Sequence, residues 1–169
     1  MDLIFSGQEF SLQTELLQIY TGFLLQIQTA PMAEPGKGSA YSLVAKAEDH
    51  LEAGIGSSIM QRYLDRVLKC ALVNDKALQT AAIDVITQVT LQALAHPMLC
   101  MPVITALETS DDPTISSRVL RIHRDLHQKH ASLIYARSME CIRTAYNYRA
   151  SLRGAKADVQ GMGKYFCRC

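Results

Sequence analysis

The stretch from His96 to His130 restricts the fold more than any other part of the chain, because it encodes two helices with a short break between them. Pro97 suits a first helical turn, where the backbone amides have no carbonyl partner within the helix in any case. The residues from there to Leu107 are apolar almost all round. We therefore expect a helix that its neighbours enclose, and Pro102 should kink or loosen it.

The second helix of this stretch follows a break of about four residues. Asp112 can cap it, and Pro113 takes its first position. On a helical wheel of about 100° per residue, one arc is apolar and contains Val119, Ile122, Leu126, Leu133 and Ile134. The opposite arc is polar and contains Arg121, Asp125, Gln128 and Lys129. Helices joined by so short a break must fold back on each other.

Charge is distributed unevenly along the chain. The 169 residues are 49% apolar and 20% charged, which is the composition of one globular domain. Residues 1–100 carry a net charge of −4, whereas residues 101–169 carry +5, so an anionic partner would bind the C-terminal part. No run of about 18 apolar residues predicts a membrane span. The N-terminal sequence lacks the basic lead-in of a secretory or mitochondrial leader.

The cysteines favour reduced thiols over a disulfide framework or a zinc site. Their number is odd, and no CxxC pair occurs. Two of them stand within apolar helical sequence, and the full set is Cys70, Cys100, Cys141, Cys167 and Cys169. This usage is typical of a cytosolic or nuclear protein.

Four segments are expected along the chain: an N-terminal helix in residues 1–29, a flexible linker with a marginal helix in 30–56, paired helices in 57–153, and a frayed tail in 154–169. The first helix is predicted to be long and amphipathic, because apolar residues recur at steps of three and four at Leu12, Leu16, Ile19, Phe23 and Ile27. Gly54 and Gly56 should stop the marginal helix. Ser57 or Ser58 should then cap the next one.

An internal repeat relates two helix pairs at a distance of 37 residues. Asp75 stands three residues before Leu78 at the start of a second helix, as Asp112 stands before Ile115. A helix–turn–helix unit with Asp in the turn and a basic residue in the second helix is typical of HEAT repeats. Strand alternation and hairpin turns are missing from the sequence. We predict an all-α fold, a HEAT-repeat α-solenoid of antiparallel helix pairs.

Catalytic and metal-binding motifs are not apparent. The sequence has no Gly-rich phosphate loop, no GxSxG and no HExxH. His123, His127 and His130 are spaced like metal ligands, but they lie on or beside the apolar arc of their helix. Core or interface positions are therefore favoured over a metal site or a pH-responsive contact. We expect no enzyme, no cofactor and no metal.

Basic residues are the candidates for contact with DNA or a protein partner. From Pro113 onward, eleven basic residues stand against three acidic ones, an excess that favours phosphate backbones or an acidic protein surface. Solvated surface charge is the alternative for each of them. Aromatic residues do not alternate with them, so base-specific readout is not expected. The candidates form two groups on helical wheels, Arg118, Arg121 and Lys129, and Arg149, Arg153 and Lys156.

The chain closely resembles, over about residues 57–150, the C-terminal HEAT-repeat region of the Nipped-B type sister chromatid cohesion proteins, the large subunit of the cohesin loader. Fungal versions look nearest. The resemblance is carried by the runs MQRYLDRVLKCAL, NDKALQTAAIDVI, LAHPMLCMPVITALETSDDPTI and HRDLHQKHASLI. It is most specific at His96-Pro97, Cys100, Pro102, the run from Ala106 to Thr109, and the segment from His127 to His130.

The resemblance implies a non-enzymatic scaffold that helps to load cohesin onto chromatin for sister chromatid cohesion, in the nucleus and on chromosomes. Its implied partners are DNA, the ATPase heads and kleisin of cohesin, and the rest of the loader's HEAT array. Because proteins of the family are many times longer, a fragment or short product is expected, without the N-terminal region that docks the small loader subunit. Two alternatives are a generic HEAT-type protein-interaction module that ignores nucleic acid, and an inactive truncated fragment that self-associates through uncovered ends.

Overall fold

The computed structural model describes residues 9–29 and 40–153, with side chains for residues 9–26 and 54–152. No strand occurs in these ranges. The helices are α1 (Phe10–Thr29), α2 (Ala40–Ala71), α3 (Lys76–Leu91), α4 (Met101–Glu108), α5 (Pro113–Ala136) and α6 (Ser138–Arg153). A 3-10 turn, Pro97–Leu99, precedes α4. The expected linker residues 30–39 and the expected tail 154–169 lie outside the described residues.

The helices stack in two layers. Helix α2 pairs with α3, and α4 pairs with α5, each across a short turn. Helix α1 packs mainly on α3, whereas α6 packs mainly on α4. One layer therefore contains α2, α4 and α6, and the other contains α1, α3 and α5. This arrangement is an all-α, HEAT-like fold, as the repeat in the sequence predicts.

The predicted cap at Asp112 is present, and Asp75, its match in the sequence repeat, caps α3 in the equivalent turn. The Asp75 carboxylate accepts a hydrogen bond from the Leu78 amide at 2.8 Å, and the Asp112 carboxylate accepts one from the Thr114 amide at 2.8 Å. Each cap satisfies an amide that has no partner within its helix. The two turns also touch, because Lys76 Nζ lies 2.6 Å from Asp112 Oδ2. The hydrogen bond from Lys76, followed by that from the Thr114 amide, lowers the pKa of Asp112 to about 2.

Helix α4 is enclosed as predicted, but it does not begin at Pro97. Nearly all of its side chains are buried, and they are Met101, Pro102, Val103, Ile104, Ala106 and Leu107. The predicted kink at Pro102 is wrong, because this proline falls in the first turn of α4. Amides in a first turn have no intrahelical partner, so the missing N–H of proline costs no hydrogen bond there.

The predicted helix end at Gly54 and Gly56 is wrong, and so is the predicted helix cap at Ser57 or Ser58. Helix α2 runs without interruption from Ala40 to Ala71. Glycine costs only about 1 kcal/mol in a helix interior, which tertiary packing can offset. Gly56 is buried where α1 approaches, and the Tyr20 hydroxyl donates a hydrogen bond to its carbonyl at 3.1 Å.

Helix α1 forms as predicted, but the apolar stripe singled out in the sequence is not the face that packs. Each buried residue instead follows a member of the predicted stripe by one position, and the buried side chains are Gln13, Leu17, Tyr20 and Leu24. Leu12 and Ile19 are exposed, and Leu16 and Phe23 are half-buried. Helix α1 is therefore apolar on two adjacent sides, about 100° apart on the helical wheel, and the second side is partly covered because Phe23 packs at the edge of the core.

Helix α5 buries most of its predicted apolar arc. Val119, Ile122 and Leu126 are in the core, whereas Leu133 is 42% exposed. The helical wheel no longer predicts the buried face beyond His130, because the backbone there leaves helical geometry (φ −141°, ψ 36°) and the helix axis kinks. A kink changes the face that later residues present. The last helix, α6, begins at Ser138, after a break at Arg137.

Candidate nucleic-acid interface

The first predicted basic group lies on α5, and only two of its three members are exposed. Arg121 and Lys129 are exposed on the outer side of the helix, as the wheel predicts. Arg118 is half-buried and forms an ion pair with Asp84 of α3. Arg124 is exposed on the same outer side and was not among the predicted candidates, although the wheel that found the others also places it there.

The exposed cations of α5 are spread along the helix and mixed with an acid. Arg121 and Lys129 are separated by about 12 Å along the helix axis, at 1.5 Å per residue. Asp125 lies between them and is also exposed, so the face is mixed in charge with a net positive balance. Arg124, Arg121 and Lys129 span about 140° of the helical wheel, so they form a broad outer side of α5 and not a single line of charge.

The second predicted group is not a surface group, because Arg149 is buried. Its side chain is only 4% exposed. Its Nη1 donates to the Thr109 carbonyl at 2.8 Å and lies 2.8 Å from the Asp111 carboxylate. Arg149 therefore ties α6 to the turn between α4 and α5, and its expected role in contacting DNA is wrong. A helical wheel gives the side of the helix on which a residue lies, but it cannot show that a turn from another part of the chain packs against that side.

The other two members of that group lie at the edge of the described structure. Arg153 is the last residue of α6, and its side chain is outside the described part. Lys156 is outside the described residues altogether. Both remain predictions.

A further basic stripe lies on α2 and was not among the predicted candidates. Arg62 and Lys69 are exposed and Arg66 is half-buried. Steps of four and three residues place all three on one side of the helix. The guanidinium carbons of both arginines lie over the Tyr63 ring, at 5.6 Å and 5.9 Å from its centroid, where the ring attracts cations. The exposed Asp65 lies beside them, so this side of α2 is mixed in charge with a net positive balance, in the other layer of the fold.

The three histidines of α5 do not converge. His123 is buried, and its Nδ1 contacts Oε1 of Glu108 in α4. His127 is exposed and makes edge contacts with the His123 ring, at 6.5 Å between centroids, and with the Tyr135 ring, at 6.1 Å. His130 occupies the kink. In the described ranges, no three His, Cys, Asp or Glu side chains come together in a way that would hold a metal ion.

The cysteines within the described ranges are free thiols in the core. Cys70, Cys100 and Cys141 are all buried. Burial raises the pKa of the Cys100 thiol to about 12, and it also raises those of Cys70 and Cys141. Thiols that stay protonated at neutral pH are poor nucleophiles, so these three fit packing positions. Cys167 and Cys169 lie outside the described residues.

Long apolar helices of the kind that span a bilayer do not occur in the described part of the chain.

Comparison with known proteins identifies the family. The Nipped-B C-terminal family, described as "Sister chromatid cohesion C-terminus", matches residues 56–167. Nipped-B-like protein B of Danio rerio is 26% identical over 140 residues, which are 80% of this chain and 5% of that protein. The human Nipped-B-like protein is 28% identical over 120 residues, 68% of this chain and 4% of the relative. Sister chromatid cohesion protein mis4 of Schizosaccharomyces pombe is 28% identical over 92 residues, 53% of this chain and 6% of the relative.

The chain thus spans about one twentieth of the length of these relatives. Because they come from vertebrates and a yeast at similar identity, the nearness to fungal versions stays a prediction. The family match begins at Gly56, inside α2, and includes α3 to α6 with both aspartate-capped turns. The match includes the paired-helix region singled out in the sequence, and it also extends over residues 154–167, which lie in the segment expected to be a frayed tail. The chain belongs to the sister chromatid cohesion C-terminus family of Nipped-B-type proteins.

Proposed function

We propose that the chain is a binding scaffold of the cohesin-loader type, which contributes to sister chromatid cohesion by holding DNA and cohesin subunits together. The observation that carries this proposal is the family match over the described helix pairs. The outward cations of α5 support it, because an exposed side with a net positive charge attracts phosphates. We place the action of the scaffold in the nucleus, on chromosomes.

In this proposal, the outer face of α5 contacts the DNA backbone. Arg121, Arg124 and Lys129 would each neutralise a phosphate and release a condensed counterion. Their long side chains suit contacts that position a protein on the duplex, and such contacts carry no base sequence information. We therefore expect affinity for duplex DNA of any sequence.

The protein partners follow from the family. We propose that the ATPase heads and the kleisin of cohesin bind this scaffold, together with further HEAT repeats of a loader. Any effect on ATP hydrolysis would then come from stimulating the partner, and the scaffold would transform no substrate itself. Docking of the small loader subunit is not proposed for this chain.

The proposal is tested by comparing two triple variants of the full chain in duplex binding at low salt. Neutralising the α5 face with Arg121→Gln, Arg124→Gln and Lys129→Gln should weaken binding about tenfold or more, because a lost phosphate contact commonly costs on the order of 1 kcal/mol. The matched control neutralises the α2 stripe with Arg62→Gln, Arg66→Gln and Lys69→Gln, and it should bind nearly as the wild type. Equal loss in both variants would point to non-specific attraction, and loss only in the control would move the interface to α2. Retention of cohesin subunits by the immobilised chain tests the protein partners separately.

A further inference from the structure

The outer side of α5 carries a serine among its cations. Ser117 is exposed, and on the helical wheel it lies about 40° from Arg121 and about 20° from Arg124, within the arc that the three cations span. We propose that Ser117 is a phosphorylation site, and that a phosphate there releases DNA from the outer side of α5. The inference rests on the proposed function, because it concerns the regulation of the same surface.

The position of Ser117 suits a phosphate, because the side chains of a helix lean back toward its N-terminus. Arg121 stands four residues after Ser117, and such neighbours have Cβ atoms about 5–6 Å apart on the helix surface. We therefore expect the guanidinium of Arg121 to extend over the turn that contains Ser117. Within the part of the chain whose side chains are described, neither Arg121 nor Arg124 forms an ion pair. A phosphate on Ser117 would thus accept a charge-assisted hydrogen bond from Arg121.

The acidic side chains near Ser117 are paired or distant. Asp84 of α3 forms an ion pair with the half-buried arginine that follows Ser117. Asp111 and Asp112 belong to the turn before α5, and each forms an ion pair there. Asp125 lies about 12 Å further along the helix axis, at 1.5 Å per residue. Among the described residues, the cations of α5 are therefore better placed than any unpaired acid to contact the phosphate.

The other hydroxyl groups of α5 are less suitable. Thr114 is exposed, but its amide donates a hydrogen bond to the Asp112 carboxylate at 2.8 Å, so a phosphate there would be repelled by the adjacent acid. Ser116 is half-buried and lies at the edge of the apolar arc. Ser132 follows the kink in α5, beyond the part of the helix that forms the cationic side. Ser117 is therefore the hydroxyl of α5 that best fits this role.

The modification is a phosphoryl transfer from ATP by a protein kinase. The Ser117 Oγ forms a bond to the γ-phosphorus while the bond from that phosphorus to the β,γ-bridging oxygen breaks, the hydroxyl proton passes to the base of the kinase, and ADP leaves. The hydrogen bond that this Oγ donates to the Thr114 carbonyl, at 3.2 Å, is exposed, so water can replace it. Ser117 is the fifth residue of α5. It is therefore near a helix end, where local opening for a kinase costs least.

Phosphorylation would remove the net positive charge of the outer side of α5. Three cations and one acid, Asp125, give this side a net charge of +2, and a phosphoserine adds about −1.5 to −2 at neutral pH. The phosphate would also occupy Arg121, which leaves at most two cations for DNA. At about −0.9 per phosphate contact, the slope of log affinity against log salt concentration should change from about −2.7 to about −1.8 or shallower.

The binding test uses the full chain with genetically encoded phosphoserine at position 117. It should bind duplex DNA at low salt at least about tenfold more weakly than the wild type, whereas Ser117→Ala should bind as the wild type does. The matched control carries phosphoserine at position 151. Ser151 is an exposed serine of α6 whose hydroxyl also donates to the carbonyl three residues earlier, and its phosphorylation should change affinity by less than about twofold. Circular dichroism should show the same helix content in all four proteins.

The modification itself is tested by incubating the wild type with ATP and a nuclear extract, and by mapping phosphate with mass spectrometry. Phosphate should appear on Ser117 and be lost in Ser117→Ala. A wild type without phosphate on Ser117 overturns the proposal, and so does a phosphorylated chain that binds no more weakly than the Ser151 control. Failure of the proposed function is distinct, because it appears in the unmodified chain, as an α5 triple variant that binds duplex DNA as the wild type does.

Discussion

Replacing Arg149 with alanine should destabilise the protein strongly, although a helical wheel would place this residue among the surface cations. Its buried guanidinium donates to the Thr109 carbonyl and pairs with Asp111. A hydrogen bond from a charged group is worth about 1.5–3 kcal/mol, and breaking a buried pair costs about 3–5 kcal/mol. The Asp111 side chain is 71% exposed, so water replaces part of its lost interaction. We therefore expect a loss of about 2–4 kcal/mol in the free energy of unfolding.

The assay is urea unfolding followed by circular dichroism, with Arg143→Ala as the matched control on the same helix. Arg143 is exposed, so its replacement should change the free energy of unfolding by less than about 0.5 kcal/mol. In thermal unfolding, the Arg149→Ala midpoint should fall by about 5–15 °C, at 2–4 °C per kcal/mol for a chain of this size. If the two alanine variants are equally stable, the anchoring role assigned to Arg149 is wrong.

Three further changes test other parts of the fold. Ala93 has a left-handed backbone (φ 53°) after α3, so Ala93→Gly should raise the free energy of unfolding by about 0.5–1 kcal/mol in urea titrations. Gly54 lies within α2 with nothing near its added Cβ, and Gly54→Ala should stabilise by about 0.5–1 kcal/mol in the same assay. The lowered pKa of Asp112 predicts that its contribution is complete above pH 4 and disappears as the pH falls toward 2. The stability difference between the wild type and Asp112→Asn should shrink over that interval of pH.

Features set by neighbouring residues were predictable from the sequence. The caps at Asp75 and Asp112 form because each aspartate stands beside the amides it satisfies. The apolar arc of α5 up to Leu126 follows from helical periodicity. The outward positions of Arg121 and Lys129 follow from the same periodicity.

Features set by distant residues were not predictable in this way. The continuity of α2 through Gly56 involves Tyr20, which is 36 residues away and donates to its carbonyl. Arg149 is buried because a turn some 40 residues earlier supplies its acceptor. The packed face of α1 was ambiguous because both of its sides are apolar, and only the position of α3 selects between them.

The salt dependence of duplex binding tests the central claim most directly. If Arg121, Arg124 and Lys129 each neutralise a phosphate, a plot of log affinity against log salt concentration should have a slope near −2.7, at about −0.9 per contact. Neutralising the three residues should flatten that slope. A wild-type affinity that does not change between low and moderate salt would contradict the proposal that this scaffold holds DNA through the outer face of α5.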